Sequence, residues 1–392
     1  MKKIMIYIFF SIIIVSLYFF LQHFFLIQTA KIKVTIKDNI VESNTKKKVS
    51  DFIGEINGTI IDDYDVDTST LGEKKIKFNF INEDNIKVPY QFTIIIVDTI
   101  APIIWIGDSY TVLKDSDPLF YKKILCGDNY DDKPNCYIEG DYDTSKIGTY
   151  SLTFKATDNS GNKTEKNFSL HVIEPQKSSS TKPKYTYFED VKEKYKNENV
   201  KIGLDISSWQ EEVDFEKIKQ AGVEFVILKI GGTRKANGEY YLDSQFIRNI
   251  EQANKLGIDV GIYFFSYAKT KQEAINDANW VIEQLKGYSI TLPIAFDWED
   301  WENYNDYHLS FYHLTEIANS FLTTIQEAGY DGMLYSSKSY LEEIWLSLDF
   351  PVWLAHYTNK TNYQGEYRLW QLCNNGKIDG ITTNVDINIL YQ

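Results

Sequence analysis

Four regimes of apolar spacing follow one another along the chain. Residues 4–27, IMIYIFFSIIIVSLYFFLQHFFLI, form a nearly unbroken apolar run in which Gln22 and His23 are the only strongly polar side chains. As a helix, these 24 residues are long enough for the ~30 Å hydrocarbon layer of a bilayer. A cleavable secretory signal has a core of only roughly 7–15 apolar residues and a small-residue cleavage site. This run is longer and lacks a clear A-x-A, so the expectation is an uncleaved single-pass anchor, with cleavage near Ala30 as the alternative. Lys2 and Lys3 precede the run, and flanking positive charge stays cytoplasmic. The expected location is therefore the cell membrane, with everything after residue 30 outside.

Between residues 31 and 174 the apolar period changes to two. Ile76, Phe78 and Phe80, and later Tyr150, Leu152 and Phe154, alternate with polar residues as in half-buried strands. The segment DTSTLGEKKIKFNF from Asp67 returns as DTSKIGTYSLTFKA from Asp143, at a constant offset of 76 residues. Without a gap, Ser69 aligns with Ser145, Gly72 with Gly148, Phe78 with Phe154 and Phe92 with Phe168. A repeat of this length is a duplicated domain rather than a solenoid unit. Turns such as DNSGN at 158–162 separate the strands, which predicts two small antiparallel sandwiches, 31–101 and 102–174, joined at DTIAP. Both resemble the bacterial immunoglobulin-like modules of Gram-positive surface proteins. The resemblance implies spacers or adhesive modules without catalysis, and their aspartates read as turn formers rather than calcium ligands.

EPQKSSSTKPK, residues 174–184, has linker composition, and a charged, helix-compatible stretch extends the linker region over 175–198. From 199 to 392, nearly continuous apolar strands alternate with helical spacing. The strands include VKIGLDIS, EFVILKIGG, IDVGIYFFSY, ITLPIAFDWE and GMLYSS, then PVWLAHY, YRLWQL and NVDINIL as the sixth to eighth. Helices between them carry apolar stripes such as Phe246, Ile250, Ala253 and Leu256, and close at Gly222, Gly257, Gly287 and Gly329. Thr270 and Glu273 form a capping-box pair. This alternation predicts a parallel, TIM-like β/α barrel, irregular because helices are missing after the later strands.

Composition narrows the class. Of 392 residues, 43% are hydrophobic and 15% aromatic, enough for large cores. The 41 basic against 55 acidic residues leave a net charge of −14, and the longest basic run is Lys46-Lys47-Lys48. A nucleic-acid partner is excluded on that balance. Cys126 and Cys136 bracket GDNYDDKPN, and an external location permits a disulfide across that loop, while Cys373 has no obvious partner.

Chemistry concentrates in the barrel's acids. Active sites of β/α barrels lie at the C-terminal strand ends. Asp205 closes the first strand, Asp297 and Glu299 close the fourth, and Asp386 falls in the eighth, beside the first in a closed barrel. Asp297 and Glu299 are two apart, so they share a strand face. Clustered carboxylates perturb one another until one keeps its proton near neutrality. A protonated acid beside an ionised carboxylate is what cleavage of a glycosidic bond requires. Two alternatives remain: loop-capping acids with a solvent-facing Glu299, and a metal site. His308, His313 and His356 are scattered, so no metal and no cofactor is expected.

KIGLDISSWQEEVDFEKIKQAGVEFVILKIGG, IDVGIYFFSYAKTKQEAINDANW, LPIAFDWED, YSS, PVWLAHY, LWQ and VDINIL occur in this order across residues 201–390. The series resembles glycoside hydrolase family 25, the N-acetylmuramidase lysozymes of phages and Gram-positive bacteria. The resemblance implies hydrolysis of the β-1,4 bond between N-acetylmuramic acid and N-acetylglucosamine, with peptidoglycan strands as partner. It implies Glu299 as catalytic acid, with Asp297, Asp205 and Asp386 as its companion carboxylates. The resemblance also implies retention of anomeric configuration through the substrate's acetamido group. Asp297 would orient that group, while a direct nucleophilic role for it stays open. Tyr263, Tyr267, Tyr335, Trp353 and Tyr357 fall near strand ends and read equally as a sugar-stacking groove or as barrel core. Gln371, after Trp370, matches a polar wall residue, whereas Trp301 makes the strand-four loop bulkier than the resemblance accounts for.

The combined expectation is a membrane-anchored muramidase held away from the bilayer by two spacers. Such an enzyme suits local remodelling of the wall or passage of a secretion or conjugation apparatus. The rivals are an inactive, tethered glycan-binding protein and a chitinase-like endo-N-acetylglucosaminidase.

Overall fold

In the computed structural model, which describes residues 13–18, 21, 31–175 and 184–392, the chain divides between Ile100 and Ala101 into two units. The predicted membrane span is a correction. Residues 13–18 are helical, a piece ~9 Å long at ~1.5 Å per residue, and no helix among the described residues is long and apolar enough to cross a membrane. Apart from Leu21, the remainder of the 4–27 run lies outside the described residues.

The first unit is built on one long hairpin, Gly72–Asn82 with Lys87–Val97. Its alternate residues Ile76, Phe78, Phe80, Val88 and Ile94 point into the core. Ile40–Glu42 and Gly58–Ile60 flank the hairpin, completing a sheet of four strands. Residues 101–175 repeat this plan around the hairpin Gly148–Thr157 with Lys163–Ile173, flanked by Ser109–Leu113 and Asn135–Glu139.

The duplication survives in the register. Gly72 faces Ile96 and Ile76 faces Phe92, while at the same offset of 76 Gly148 faces Val172 and Leu152 faces Phe168. Asp67 and Asp143 each accept hydrogen bonds from the backbone N–H and hydroxyl of the serine two residues on, as turn-forming aspartates do.

The sheets are not the purely antiparallel ones expected. In each, the first strand runs parallel to the last: Ile40–Glu42 along Ile95–Val97, and Ser109–Leu113 along Ser169–Ile173. Outside the two hairpins the strands are only two to five residues long. Such short strands supply two-stranded ribbons rather than a full opposing sheet.

The barrel strands are β1 (Val200–Ile206), β2 (Phe225–Thr233), β3 (Asp259–Phe265), β4 (Ile294–Asp297), β5 (Gly332–Ser337), β6 (Val352–Ala355), β7 (Leu369–Lys377) and β8 (Val385–Tyr391). β1 to β7 follow one another as parallel neighbours, but β8 pairs antiparallel with both β7 and β1. The expected all-parallel barrel is corrected there: only residues 378–384 join β7 to β8, too few for a crossover.

Helices Phe215–Ala221, Phe246–Leu256, Lys271–Gln284 and Phe311–Glu327 cover the outside. The Thr270 hydroxyl accepts the Glu273 N–H as expected, and Gly222 and Gly257 take the left-handed conformation at helix ends. Only the short helix Lys338–Glu343 follows β5. Residues assigned to a linker also join the barrel: Thr186–Tyr187 pairs with β7, and helix Phe188–Tyr195 buries Phe188 and Val191 in the barrel's outer core.

The second module packs directly on the barrel within its unit. Leu125 lies in the barrel's outer core, with Trp105 against it. Asn305, in the short helix Tyr304–Tyr307 after β4, accepts the Cys126 N–H at 3.0 Å and donates to the carbonyls of Tyr121 and Ile124 at 2.9 and 2.8 Å. Asp132 accepts the Ser310 N–H at 2.8 Å and faces His313 Nδ1 at 2.5 Å. Gly127 is required by this contact, because a Cβ there would sit 2.6 Å from Phe311. A module so bonded is not a free spacer.

Candidate active site

Strand alternation builds the site. Phe225, Ile227, Ala295, Met333, Leu369 and Leu390 fill the barrel interior as one apolar cluster. Two residues further toward the rim, the same inward faces carry Lys229 after Ile227, Asp297 after Ala295, Tyr335 after Met333 and Gln371 after Leu369. On antiparallel β8 the series runs backwards, from Leu390 to Asn388 to Asp386. Asp386 is thus near the start of its strand and still at the rim where the others end, directly across from Asp205. Glu299, two beyond Asp297, extends the inward face of β4 past the strand.

A hydrogen-bonded floor supports the acids. Gln371 Nε2 donates to Asp205 Oδ2 at 3.0 Å and to Asp386 Oδ2 at 3.4 Å. Its Oε1 accepts the hydroxyls of Tyr335 and Tyr357 at 3.0 and 3.1 Å, which fixes the amide's orientation. Asn388 Nδ2 donates to Asp205 Oδ2 at 2.7 Å, and its Oδ1 accepts Trp353 Nε1 at 2.8 Å.

All four carboxyls are held above their ordinary range. Burial and the neighbouring Asp205 push Asp386 up to about 9, so at neutrality Asp386 carries the proton that it donates to Asp205. Burial also raises Asp205, but Gln371, Asn388 and Asp386 all favour its charged form. Asp297 is raised well above the usual carboxylate range by burial and then by Glu299, against the pull of Lys229. Its Oδ1 is buried with no hydrogen-bond partner among the described residues. Glu299 opens to solvent at the mouth, yet the surrounding walls thin its hydration and raise it, with Lys229 opposing and Asp205 adding.

The five expected aromatics separate into layers. Trp353 is 2% exposed and Tyr335 7%, so both lie beneath the acids and offer no free face to a sugar. Their rings pack at 4.6 Å, and Tyr263 meets Trp353 at 6.1 Å. The Tyr263 phenol is raised by burial and by Asp205, Asp297 and Asp386, which places it against the acid cluster. Tyr267 is half-buried, and Tyr357 is 53% exposed at the rim. Gln371, read as a wall residue, is instead the buried clamp of the acid pair.

Other expectations resolve locally. Asp300 belongs to the loop rather than the chemistry, accepting from Asn303 and Tyr307 and pairing with Lys235 at 2.7 Å. Trp298 is fully buried and donates to the Ala268 carbonyl at 3.2 Å. Trp301 stacks on Tyr340 at 3.9 Å, and Tyr340 meets Trp105 of the second module edge-on at 4.3 Å. The bulk of this loop is therefore a contact surface for that module. The Cys126–Cys136 disulfide forms as expected, with Cys373 free and buried.

Lys229 and Asn388 were not singled out from sequence. A lone lysine inside FVILKIGG and an asparagine two residues from Asp386 on one strand face were the available signals.

The model of the family Glycosyl hydrolases family 25 matches residues 204–381. The chain is 25% identical over 189 residues to the autolytic lysozyme of Clostridium acetobutylicum, covering 47% of this chain and 54% of that protein. It is 26% identical over 204 residues to Lysozyme M1 of Streptomyces globisporus, covering 47% and 66%. The chain thus spans about half the length of the first of these relatives. Among solved structures, the modular autolysin LytC of Streptococcus pneumoniae, in complex with a synthetic peptidoglycan ligand, is 26% identical at a TM-score of 0.43, covering 61% of this chain and 56% of that one.

Proposed function

We propose that the barrel hydrolyses the β-1,4 bond between N-acetylmuramic acid and N-acetylglucosamine in peptidoglycan, with retention of configuration. The observation that carries this reading is the pair at the end of β4: Asp297, buried with Oδ1 unpartnered among the described residues, and Glu299 two residues beyond the strand at the open mouth. The match of residues 204–381 to the hydrolase family and the likeness to two lysozymes support it.

In the proposed reaction the sugar's acetamido N–H donates to Asp297 Oδ1. That hydrogen bond favours the ionised carboxylate, so the proton shared between Asp297 and Glu299 rests on Glu299. Glu299 passes it to the glycosidic oxygen as the acetamido carbonyl oxygen attacks C1 and the C1–O bond breaks. Asp297 then neutralises the oxazolinium, and Glu299 takes a proton from the water that opens it. Asp205, charged and held by Gln371 and Asn388, faces the same mouth and keeps the cluster's potential negative for the cationic transition state.

The Cys126–Cys136 bond and a wall substrate both fit work outside the cytoplasm. Digested, borohydride-reduced peptidoglycan tests the assignment by mass spectrometry. Muramitol ends are expected; glucosaminitol ends would favour an endo-N-acetylglucosaminidase, and no new ends a glycan-binding protein.

A further inference from the structure

The second module adds a wall beside the proposed catalytic mouth. A groove of about 430 Å³ runs between it and the barrel, lined by Trp105, Lys122 and Lys123 from the module and by Trp301, Glu302 and Tyr340 from the barrel. Its floor is a continuous aromatic path, Trp105 edge-on to Tyr340 and Tyr340 stacked on Trp301. Trp301 is two residues from Glu299. Tyr340 is near enough that, after burial, the Glu299 and Glu302 charges push its phenol up to about 12. The groove therefore lies beside the segment that carries Glu299.

Its charge is set by two lysines. In a chain of net charge −14, two adjacent exposed lysines face one groove whose single acid is Glu302. Lys123 rests over the Tyr110 ring at 5.0 Å, and neither lysine is ion-paired among the described residues. Unpaired ammonium groups over an aromatic floor suit a ligand with carboxylates on a partly apolar backbone.

We propose that this groove receives the stem peptide of the muramic acid next to the cleaved bond, with Lys122 and Lys123 binding its carboxylates. The assignment rests on the hydrolase reading above. It makes the second module a specificity element, so that the enzyme prefers glycan that still bears peptides.

The test uses the full chain on two substrates: sacculi stripped of other wall polymers, and the same glycan after an amidase has removed its stems. For Lys122→Ala/Lys123→Ala, kcat/KM on stem-bearing sacculi should fall roughly three- to tenfold, chiefly through KM, as two exposed ion pairs allow. Turnover of the stem-free glycan should match the wild type, and Lys122→Arg/Lys123→Arg should restore the preference. Equal losses on both substrates, or none on either, would overturn the groove's assignment. A wild-type protein that cuts neither substrate would instead overturn the hydrolase reading.

Discussion

Asp386 stands directly opposite Asp205 in the register between β8 and β1, and one amide group, Gln371 Nε2, donates to both. Two carboxyls so close, Asp205 buried and Asp386 half-buried, cannot both ionise, and the neutral amide donors select which one does. Asp205 takes the charge and Asp386 the proton.

That arrangement sets a pH dependence of stability. Asp386 is raised to about 9 in the native state, so the folded protein holds a proton that the unfolded chain releases near pH 4. Stability must then fall as pH rises between about 4 and 9. Asp205, Asp297 and Glu299 are raised as well and act with the same sign. Asp143, held at about 2 by Lys146 and then Ser145, acts oppositely but is ionised in both states above about pH 5. Denaturation midpoints should be lower at pH 8 than at pH 5, and Asp386→Asn should flatten that difference.

Lys229 governs the pH profile of the reaction. It is the cation that lowers both Asp297 and Glu299. Lys229→Met should therefore raise both, shifting the acidic and alkaline limbs of the kcat/KM profile to higher pH. Lys229→Arg should leave the limbs in place. A profile unchanged in the methionine variant would contradict the electrostatic assignment.

Much of this site was legible because acids are conspicuous when they end apolar strands. Asp205, Asp297 and Glu299 needed only the strand period to be placed at one rim. Asp386 reached the rim by a different route from the one expected. VDINIL reads alike in either direction, so its pattern does not reveal that β8 runs against its neighbours. The layering of aromatics was equally hidden, since Trp353 beneath the acids and Tyr357 above them both follow an apolar strand start. Least legible was the docking of the second module. Its short strands report their own hairpin, while Asn305 and Gly127 act through contacts about 180 residues apart in sequence.

The docking makes its own prediction. Asn305→Ala leaves the Ile124 carbonyl and Cys126 N–H without their partner, which should cost about 1–3 kcal/mol in chemical denaturation. Because Asn305 lies in the short helix that follows Glu299 by five residues, kcat should fall with it. Gly127→Val, which drives a side chain into Phe311, should cost a similar amount, about 1–3 kcal/mol.

The acetamido route separates from direct attack by Asp297. If the substrate's own acetyl group supplies the nucleophile, fully de-N-acetylated glycan should be cleaved at background rate. Undiminished cleavage of that glycan would assign the attack to Asp297 itself.

The most direct test of the central claim is release of reducing ends from purified peptidoglycan by wild type and by Glu299→Gln. The account requires wild-type release and a loss of roughly 10²–10⁴-fold in the variant, with sedimentation showing that both still bind the wall. Undiminished release by Glu299→Gln would contradict it, because the bond would then break without the acid at the mouth of the barrel.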